Sequence, residues 1–301
     1  MTDTEKTLHL VGIGVTHSIA FGMHNYIAKS LGLPWTFYST ECPTLDDLME
    51  LAGKSTTAGL VVTMPYKASI MSRLDELDEL ATAIGACNNV YYKEGSSRRI
   101  CGTNTDWLGI KGCLLEKGDG PEERPIAGLI VGAGGASRAA LYALASHLDC
   151  STIYVLNRDD QEVADLVRDS KKLPVVPKLI HVKTMEQAEN YPAPYYIVGT
   201  VPDLEPLTDA EKNVAVILKY FLERKEKGVL LDMCFKPRRT RMIKLAETLG
   251  WPCVEGTHVI GYQIEEQWRR WAGEEYVAKL DKEGAWNVLL KAAEESKGIN
   301  F

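Results

Sequence analysis

Lys67 stands just past the apolar pair Val61-Val62, in the segment Thr63-Met64-Pro65-Tyr66-Lys67, where a strand would end. A lysine at such an edge loses part of its hydration, and a neighbouring carboxylate then decides how readily it exchanges a proton. The segment Gly102-Thr103-Asn104-Thr105-Asp106 offers such a carboxylate. Singly, Lys67 reads as a solvated lysine at a helix start and Asp106 as a helix N-cap. Together, in this order, they read as a proton-transfer pair.

A second chemistry is written in Leu129-Ile130-Val131-Gly132-Ala133-Gly134-Gly135-Ala136-Ser137, an apolar strand running through a glycine turn into a helix. Glycines let the backbone approach a pyrophosphate, and the helix start presents unpaired amides to it. Tight strand-to-helix turns also use glycine for steric reasons alone, so the weight comes from context. The next strand, Ile153-Tyr154-Val155-Leu156, ends at Asn157-Arg158-Asp159-Asp160, about twenty residues past the glycines, where a dinucleotide's ribose is read. A carboxylate there accepts the 2′-hydroxyl of NAD and repels the 2′-phosphate of NADP, while an arginine does the opposite. With both present, Arg158 is read as stacking over the adenine, Asp159 or Asp160 as taking the ribose, and Glu162 as adding negative charge. NAD is the expected cofactor, with NADP as the alternative. One Asp of the pair serves equally as the cap of a helix starting near Gln161.

The elements that must hold these groups alternate along the chain. β-rich runs at residues 8–15, 35–39, 59–64, 128–131, 152–156, 196–198 and 229–233 are separated by segments with apolar positions three and four apart, such as 23–31, 137–147 and 214–226. That alternation predicts an α/β protein with largely parallel sheets. A polar stretch over 116–125 predicts a surface loop near a domain boundary. From about His258 the chain predicts only helix, over 260–271 and 276–293, and such a tail commonly packs back on a first domain.

At 301 residues the chain is long enough for two domains, each with its own core. Its net charge of -7 gives no general reason to bind nucleic acid, and basic runs such as Lys236-Pro237-Arg238-Arg239 are short. No apolar run has membrane-spanning length, and Met1-Thr2-Asp3-Thr4-Glu5-Lys6 lacks the plan of a signal peptide. A cytosolic protein with a small-molecule substrate is expected, acting as a monomer or homodimer. The seven cysteines are odd in number and form no C-x-x-C pair, so free structural thiols are expected. The six histidines show no metal-ligand spacing with Cys, Asp or Glu, and no metal is expected.

Six segments follow one another in a specific order. They are Val11-Gly12-Ile13-Gly14-Val15-Thr16-His17-Ser18 with Met23-His24-Asn25, then Val62-Thr63-Met64-Pro65-Tyr66-Lys67, Gly85-Ala86-Cys87-Asn88, Gly102-Thr103-Asn104-Thr105-Asp106-Trp107-Leu108-Gly109, Gly132-Ala133-Gly134-Gly135-Ala136, and Gln263 with Gln267-Trp268-Arg269-Arg270-Trp271-Ala272-Gly273. In these segments, and over nearly its whole length, the chain resembles the shikimate/quinate dehydrogenase family. The resemblance implies reversible oxidation of a ring hydroxyl on a cyclic polyhydroxy carboxylate, with hydride passed to a nicotinamide. It implies that Lys67 exchanges the hydroxyl proton and that Asp106 orients the same hydroxyl and tunes Lys67. Thr63, Asn88 and Gln263 would bind ring hydroxyls, Ser18 the carboxylate, and Thr200 would lie near the nicotinamide. The implied architecture is an α/β substrate domain over 1–108, a dinucleotide-binding Rossmann-type domain over 109–257, and terminal helices over 258–301 returning to the first. The active site is expected in the cleft between the two domains.

Three positions depart from the family's pattern. Ala20 stands where a second serine is usual, Val61 where an asparagine precedes Val-Thr, and Phe235 where a tyrosine is usual. At about 1 kcal/mol per neutral hydrogen bond, three losses amount to about 3 kcal/mol, or on the order of a hundredfold in affinity for the usual substrate. Either His17, Thr16 or Lys236 takes over the carboxylate, or the favoured ring carries fewer hydroxyls at one edge, facing Phe21, Val61 and Phe235. Three further readings follow: the same chemistry on another cyclic hydroxy acid, separable by substrate profiling; a sensor that binds without turnover, against which Lys67 and Asp106 speak; and a folate-type dehydrogenase of similar plan, which the Asn88 and Asp106 segments fit less well.

Overall fold

Strands that are apolar on both faces suit parallel sheets covered on both sides, and this chain builds two sheets. The computed structural model describes residues 4–118, 120 and 126–301; of the loop expected over 116–125, residues 119 and 121–125 lie outside the described residues. The described chain divides into two compact units, one running to Thr105 and including Ile260–Ile299, the other comprising Asp106–Val259 with Asn300–Phe301.

In the first unit, β1 (Lys6–Gly12), β2 (Trp35–Glu41), β3 (Thr57–Val62), β4 (Glu76–Leu77), β5 (Asn89–Lys93) and β6 (Arg99–Thr103) form one sheet in the order β2-β1-β3-β5-β6-β4. β1 is parallel to β2 and β3, whereas β5 runs antiparallel to both β3 and β6. The antiparallel pair departs from the parallel expectation because Glu94-Gly95-Ser96-Ser97-Arg98 turns the chain straight back rather than through a helix. Val11, Leu60, Val62 and Val90 meet Leu48 and Ile70 in a buried core on one face of this sheet.

In the second unit, β7 (Ile126–Val131), β8 (Cys150–Leu156), β9 (Lys178–His181), β10 (Tyr196–Gly199), β11 (Val229–Asp232) and β12 (Cys253–Glu255) are all parallel, in the order β12-β11-β10-β7-β8-β9. Counted from β7, this is the doubly wound dinucleotide-binding order, whose switch point falls between the first and fourth strands, here β7 and β10. Leu129, Tyr154, Ile197, Phe221, Leu230 and Trp251 are buried in its core.

The terminal helices are more broken than periodicity predicts. The helix Gly256–Gly261 stops, and a new one, Ile264–Ala272, starts after Gln263. Gly261 lies so close to the Trp286 ring that no Cβ would fit, and the Gln263 side chain is drawn inward to Asn88. Similarly, Asp281 caps a separate helix, Lys282–Glu295, by accepting from the Gly284 amide at 2.9 Å. No helix among the described residues is long and apolar enough to cross a membrane.

His24, on the helix Ala20–Ser30, ties this tail to the first sheet. Its ring stacks on Phe37 at 4.3 Å, and its Nδ1 accepts from Trp268 Nε1 at 3.1 Å. Burial lowers its pKa to about 3 from the ordinary 6.5. The folded chain therefore keeps His24 neutral while the unfolded chain protonates it, so stability falls with pH from 6.5 towards 3, by up to about 1.4 kcal/mol per pH unit. Urea unfolding across that range should show a slope one proton shallower in His24→Phe; equal slopes would mean the imidazole is charged when folded.

Candidate active site

Lys67 lies half-buried in the turn between β3 and the short helix Ser69–Arg73. Its carbonyl accepts from the Cys87 amide at 2.7 Å, and Val62, at the end of β3, donates its amide to the Asn88 carbonyl at 2.8 Å. These two bonds bring the lysine segment alongside the asparagine segment. Asn88 is 1% exposed and sits in a polar network with Thr105 and Gln263. Asn88 Nδ2 donates to Gln263 Oε1 at 2.9 Å and to Thr105 Oγ1 at 3.1 Å, and Asn88 Oδ1 accepts from the Thr105 amide at 2.6 Å. The Thr105 hydroxyl donates to Gln263 Oε1 at 2.7 Å, and Gln267 Nε2 reaches both at 3.4 Å. Asp106 is the next residue of the chain; it is 4% exposed and opens the helix Asp106–Lys117.

Thr105 and Gln267 were not singled out from the sequence, yet they set the orientation of two residues that were. Thr105→Val keeps the volume but removes the hydroxyl from this water-excluded cluster. A stability loss of about 1–3 kcal/mol is expected in urea titrations, and an unchanged midpoint would show that the Asn88 and Gln263 amides hold each other without it.

Ser18 closes the first loop. Its Oγ accepts from the Ala20 amide at 3.2 Å as the helix Ala20–Ser30 begins. The loop is gathered by Glu41, whose carboxylate accepts from the amides of Gly14 at 2.8 Å, Val15 at 2.6 Å and Thr16 at 3.3 Å. These bonds, that from Gly14 foremost, hold the Glu41 carboxyl below its ordinary range. Thr63 donates its amide to the Val11 carbonyl at 2.9 Å, and its methyl lies where a Cβ on Gly12 would stand. Of the two apolar replacements in this unit, Ala20 is buried and Val61 is half-buried, while Phe21, expected beside them, is exposed.

In the second unit, Gly132 leaves β7 with φ +114°, and a Cβ there would collide with the Thr200 hydroxyl and lie 2.9 Å from Val201 Cγ1. Thr200 Oγ1 donates to the Val131 carbonyl at 2.8 Å, so the 2.7 Å contact with Ser137 Oγ has Ser137 as the donor. The end of β10 is thereby bolted to the glycine turn. Ala133 is buried, whereas Gly134 is exposed with open space around it. Gly134 caps the helix Gly135–His147 without a side-chain hydrogen bond, so its first amides, from Gly135 and Ala136 onward, meet no capping side chain. A bare, positive helix start beside an unhindered glycine fits a pyrophosphate.

Beyond β8, Asn157 Nδ2 donates to Glu162 Oε2 at 2.8 Å, and Arg158 is paired with Glu211. Asp159 Oδ1 caps the helix Asp160–Ser170, accepting from the amides of Gln161 at 2.8 Å and Glu162 at 3.1 Å. The capping role considered for one Asp therefore belongs to Asp159; Oδ2 takes no part in it. At the end of β11, Asp232 is 2% exposed, and burial pushes its carboxyl up to about 6 against hydrogen bonds from Thr240 and Cys234. It closes the loop that carries Phe235 and Lys236. No group of three or more His, Cys, Asp or Glu placed to hold a metal occurs among the described residues.

The family model described as the shikimate dehydrogenase substrate binding domain matches residues 10–90. The chain is 32% identical to the quinate dehydrogenase of Emericella nidulans, over 98% of this chain and 97% of that protein. It is 38% identical to the pentafunctional AROM polypeptide of Eremothecium gossypii over 89% of this chain, which spans only 17% of that much longer protein. Among solved structures, shikimate 5-dehydrogenase from Thermus thermophilus, in complex with NADP(H) and shikimate, is 25% identical with a TM-score of 0.73, covering 95% of this chain and 99% of that one.

Proposed function

The chain belongs to the shikimate/quinate dehydrogenase family, and we propose that it reversibly oxidises a ring hydroxyl of a quinate- or shikimate-type carboxylate with NAD or NADP as partner. The observation that carries this reading is the Asn88–Thr105–Gln263 network, hydrogen-bonded at 2.6–3.1 Å and joined by backbone bonds to the Lys67 segment. A buried cluster of three side chains with both donors and acceptors suits a ring bearing several hydroxyls.

In this reading Lys67 Nζ takes the proton of the reacting hydroxyl and returns it in reduction, and Asp106 orients that hydroxyl. Thr63, Asn88 and Gln263 bind the remaining hydroxyls. Ser18 binds the carboxylate from the loop held by Glu41. The amides at the start of Gly135–His147, with Gly132, Ala133, Gly134, Gly135 and Ala136, hold the pyrophosphate, and Asn157, Arg158 and Asp159 meet the adenosine end. Thr200 braces the turn next to the nicotinamide. The nicotinamide, when bound, accepts or gives the hydride. Residues 1–108 and 258–301 serve the ring substrate and 109–257 the dinucleotide, in a cytosolic monomer or homodimer.

The likeness to a quinate dehydrogenase along 98% of the chain weighs against a sensor without turnover and against an unrelated hydroxy acid. Initial rates with quinate, shikimate and related hydroxy acids, each with NAD and NADP and followed as reduced nicotinamide, test the proposal. Turnover of quinate or shikimate is expected despite Ala20, Val61 and Phe235. A chain that binds nucleotide and turns over neither would overturn it.

A further inference from the structure

We infer that Glu211, a residue from a distant helix, sets the preference for NAD over NADP by engaging Arg158. The inference rests on the dehydrogenase reading and goes beyond it. Arg158 follows β8, the strand whose end meets the ribose of a bound dinucleotide, and an arginine there is the group that accommodates a 2′-phosphate. Its Nη1 is paired with Glu211 Oε1, a partner fifty-three residues later in the chain.

Glu211 does not owe its position to Arg158. It stands in the first turn of the helix Asp209–Glu223, in a capping box with Thr208. Its Oε2 accepts from the amides of Thr208 at 2.9 Å and Leu207 at 3.0 Å, and its own amide donates to Thr208 Oγ1 at 3.3 Å. The two amide bonds to Oε2, with Arg158 as a lesser contributor, hold its carboxyl down at about 2. The negative charge is therefore pinned to the backbone and stays in place if Arg158 swings away.

An exposed ion pair is weak, and Arg158 is 63% exposed. The selection comes from competition instead. A 2′-phosphate can recruit the guanidinium only by taking it from Glu211, and it then faces the carboxylate left behind. The other acids at this end offer no relief: Glu162 holds Asn157, Asp159 caps its helix, and Asp160 pairs with Lys183 at 2.7 Å. Four carboxylates, Asp159, Asp160, Glu162 and Glu211, thus stand against two full cations, Arg158 and Lys183. The 2′-hydroxyl of NAD has no charge to be repelled.

Glu211→Gln separates this role from plain capping, because glutamine preserves the capping box while the charge is lost. Dissociation constants for NAD and NADP would be measured by calorimetry on the full chain, for the wild type, Glu211→Gln, Arg158→Gln and the double variant. The ratio of NADP to NAD dissociation constants should fall about tenfold in Glu211→Gln, the worth of one hydrogen bond to a charged group. Adding Arg158→Gln should cancel that gain, whereas Arg158→Gln in the wild type should change NADP affinity much less. An unchanged ratio in Glu211→Gln overturns the inference, as does a loss on removing Arg158 that is equally large with and without Glu211. If Glu211→Gln folds poorly, Arg158→Gln in the wild-type background still tests the inference, since Arg158 is exposed: a loss of about tenfold in NADP affinity there means that Arg158 already serves the phosphate and overturns it. A wild type that binds neither nucleotide overturns the dehydrogenase reading together with this one.

Discussion

Lys67→Ala should lower turnover by about two to four orders of magnitude while leaving nucleotide affinity nearly unchanged. The expectation follows from where the side chain is and from what the substitution leaves alone. Lys67 is held through its own carbonyl, which accepts from the Cys87 amide at 2.7 Å, and alanine keeps that bond. The turn beyond β3 should therefore survive, together with the Val62-to-Asn88 contact that aligns the polar network. What disappears is the amine, and with it the group proposed to take and return a proton. The separation of kcat from nucleotide dissociation constant is the informative part, because a collapsed turn would instead lower stability and substrate affinity together. Near-normal turnover in Lys67→Ala, measured at saturating quinate or shikimate, would remove Lys67 from the mechanism.

Gly132→Ala should strike the other half of the reaction by lowering both stability and nucleotide affinity. At φ +114° an alanine is strained, and its Cβ collides with the Thr200 hydroxyl. That hydroxyl cannot turn aside without losing its bonds to the Val131 carbonyl at 2.8 Å and Ser137 at 2.7 Å. Backbone strain of about 1–3 kcal/mol and overpacking of about 1–3 kcal/mol together predict a loss of about 2–6 kcal/mol. NAD should bind at least about tenfold more weakly, because the turn that presents the helix amides is displaced. Gly134→Ala is the control. A Cβ there meets nothing within 4 Å, so the fold should tolerate it. A loss of NAD affinity in Gly134→Ala at full thermal stability then reports a bound pyrophosphate rather than a damaged turn. Full stability in Gly132→Ala would show that the β7 and β10 ends are less tightly bolted than the Thr200 bonds indicate.

The parts of this protein that could be read from the chain are those whose partners are near in sequence. The glycine turn from Gly132 to Ala136 must be contiguous, since strand end, turn and helix start together would make the proposed phosphate cradle. The all-parallel second sheet was likewise legible, because its strands are apolar on both faces and alternate with helices. Lys67 and Asp106 were candidates by residue type alone, one next to a strand end and the other inside a polar segment. Periodicity failed where tertiary packing interrupts a helix that local preference would continue. At the break before Ile264, Gly261 lies against the Trp286 ring and the Gln263 side chain meets Asn88, 175 residues away.

The same distance explains what the chain order concealed. Nothing near Thr105 announces that its hydroxyl serves Gln263, 158 residues on. Glu41 gathers the Ser18 loop from the neighbouring strand, and Glu211 reaches Arg158 from a helix five elements later. Residue types and local spacing settle which groups are present and which backbone turns they occupy, since those depend on propensity and sterics within a few residues. Which polar group satisfies which other is settled by folding, because burial makes an unpaired donor or acceptor costly and the partner is whichever residue the topology delivers.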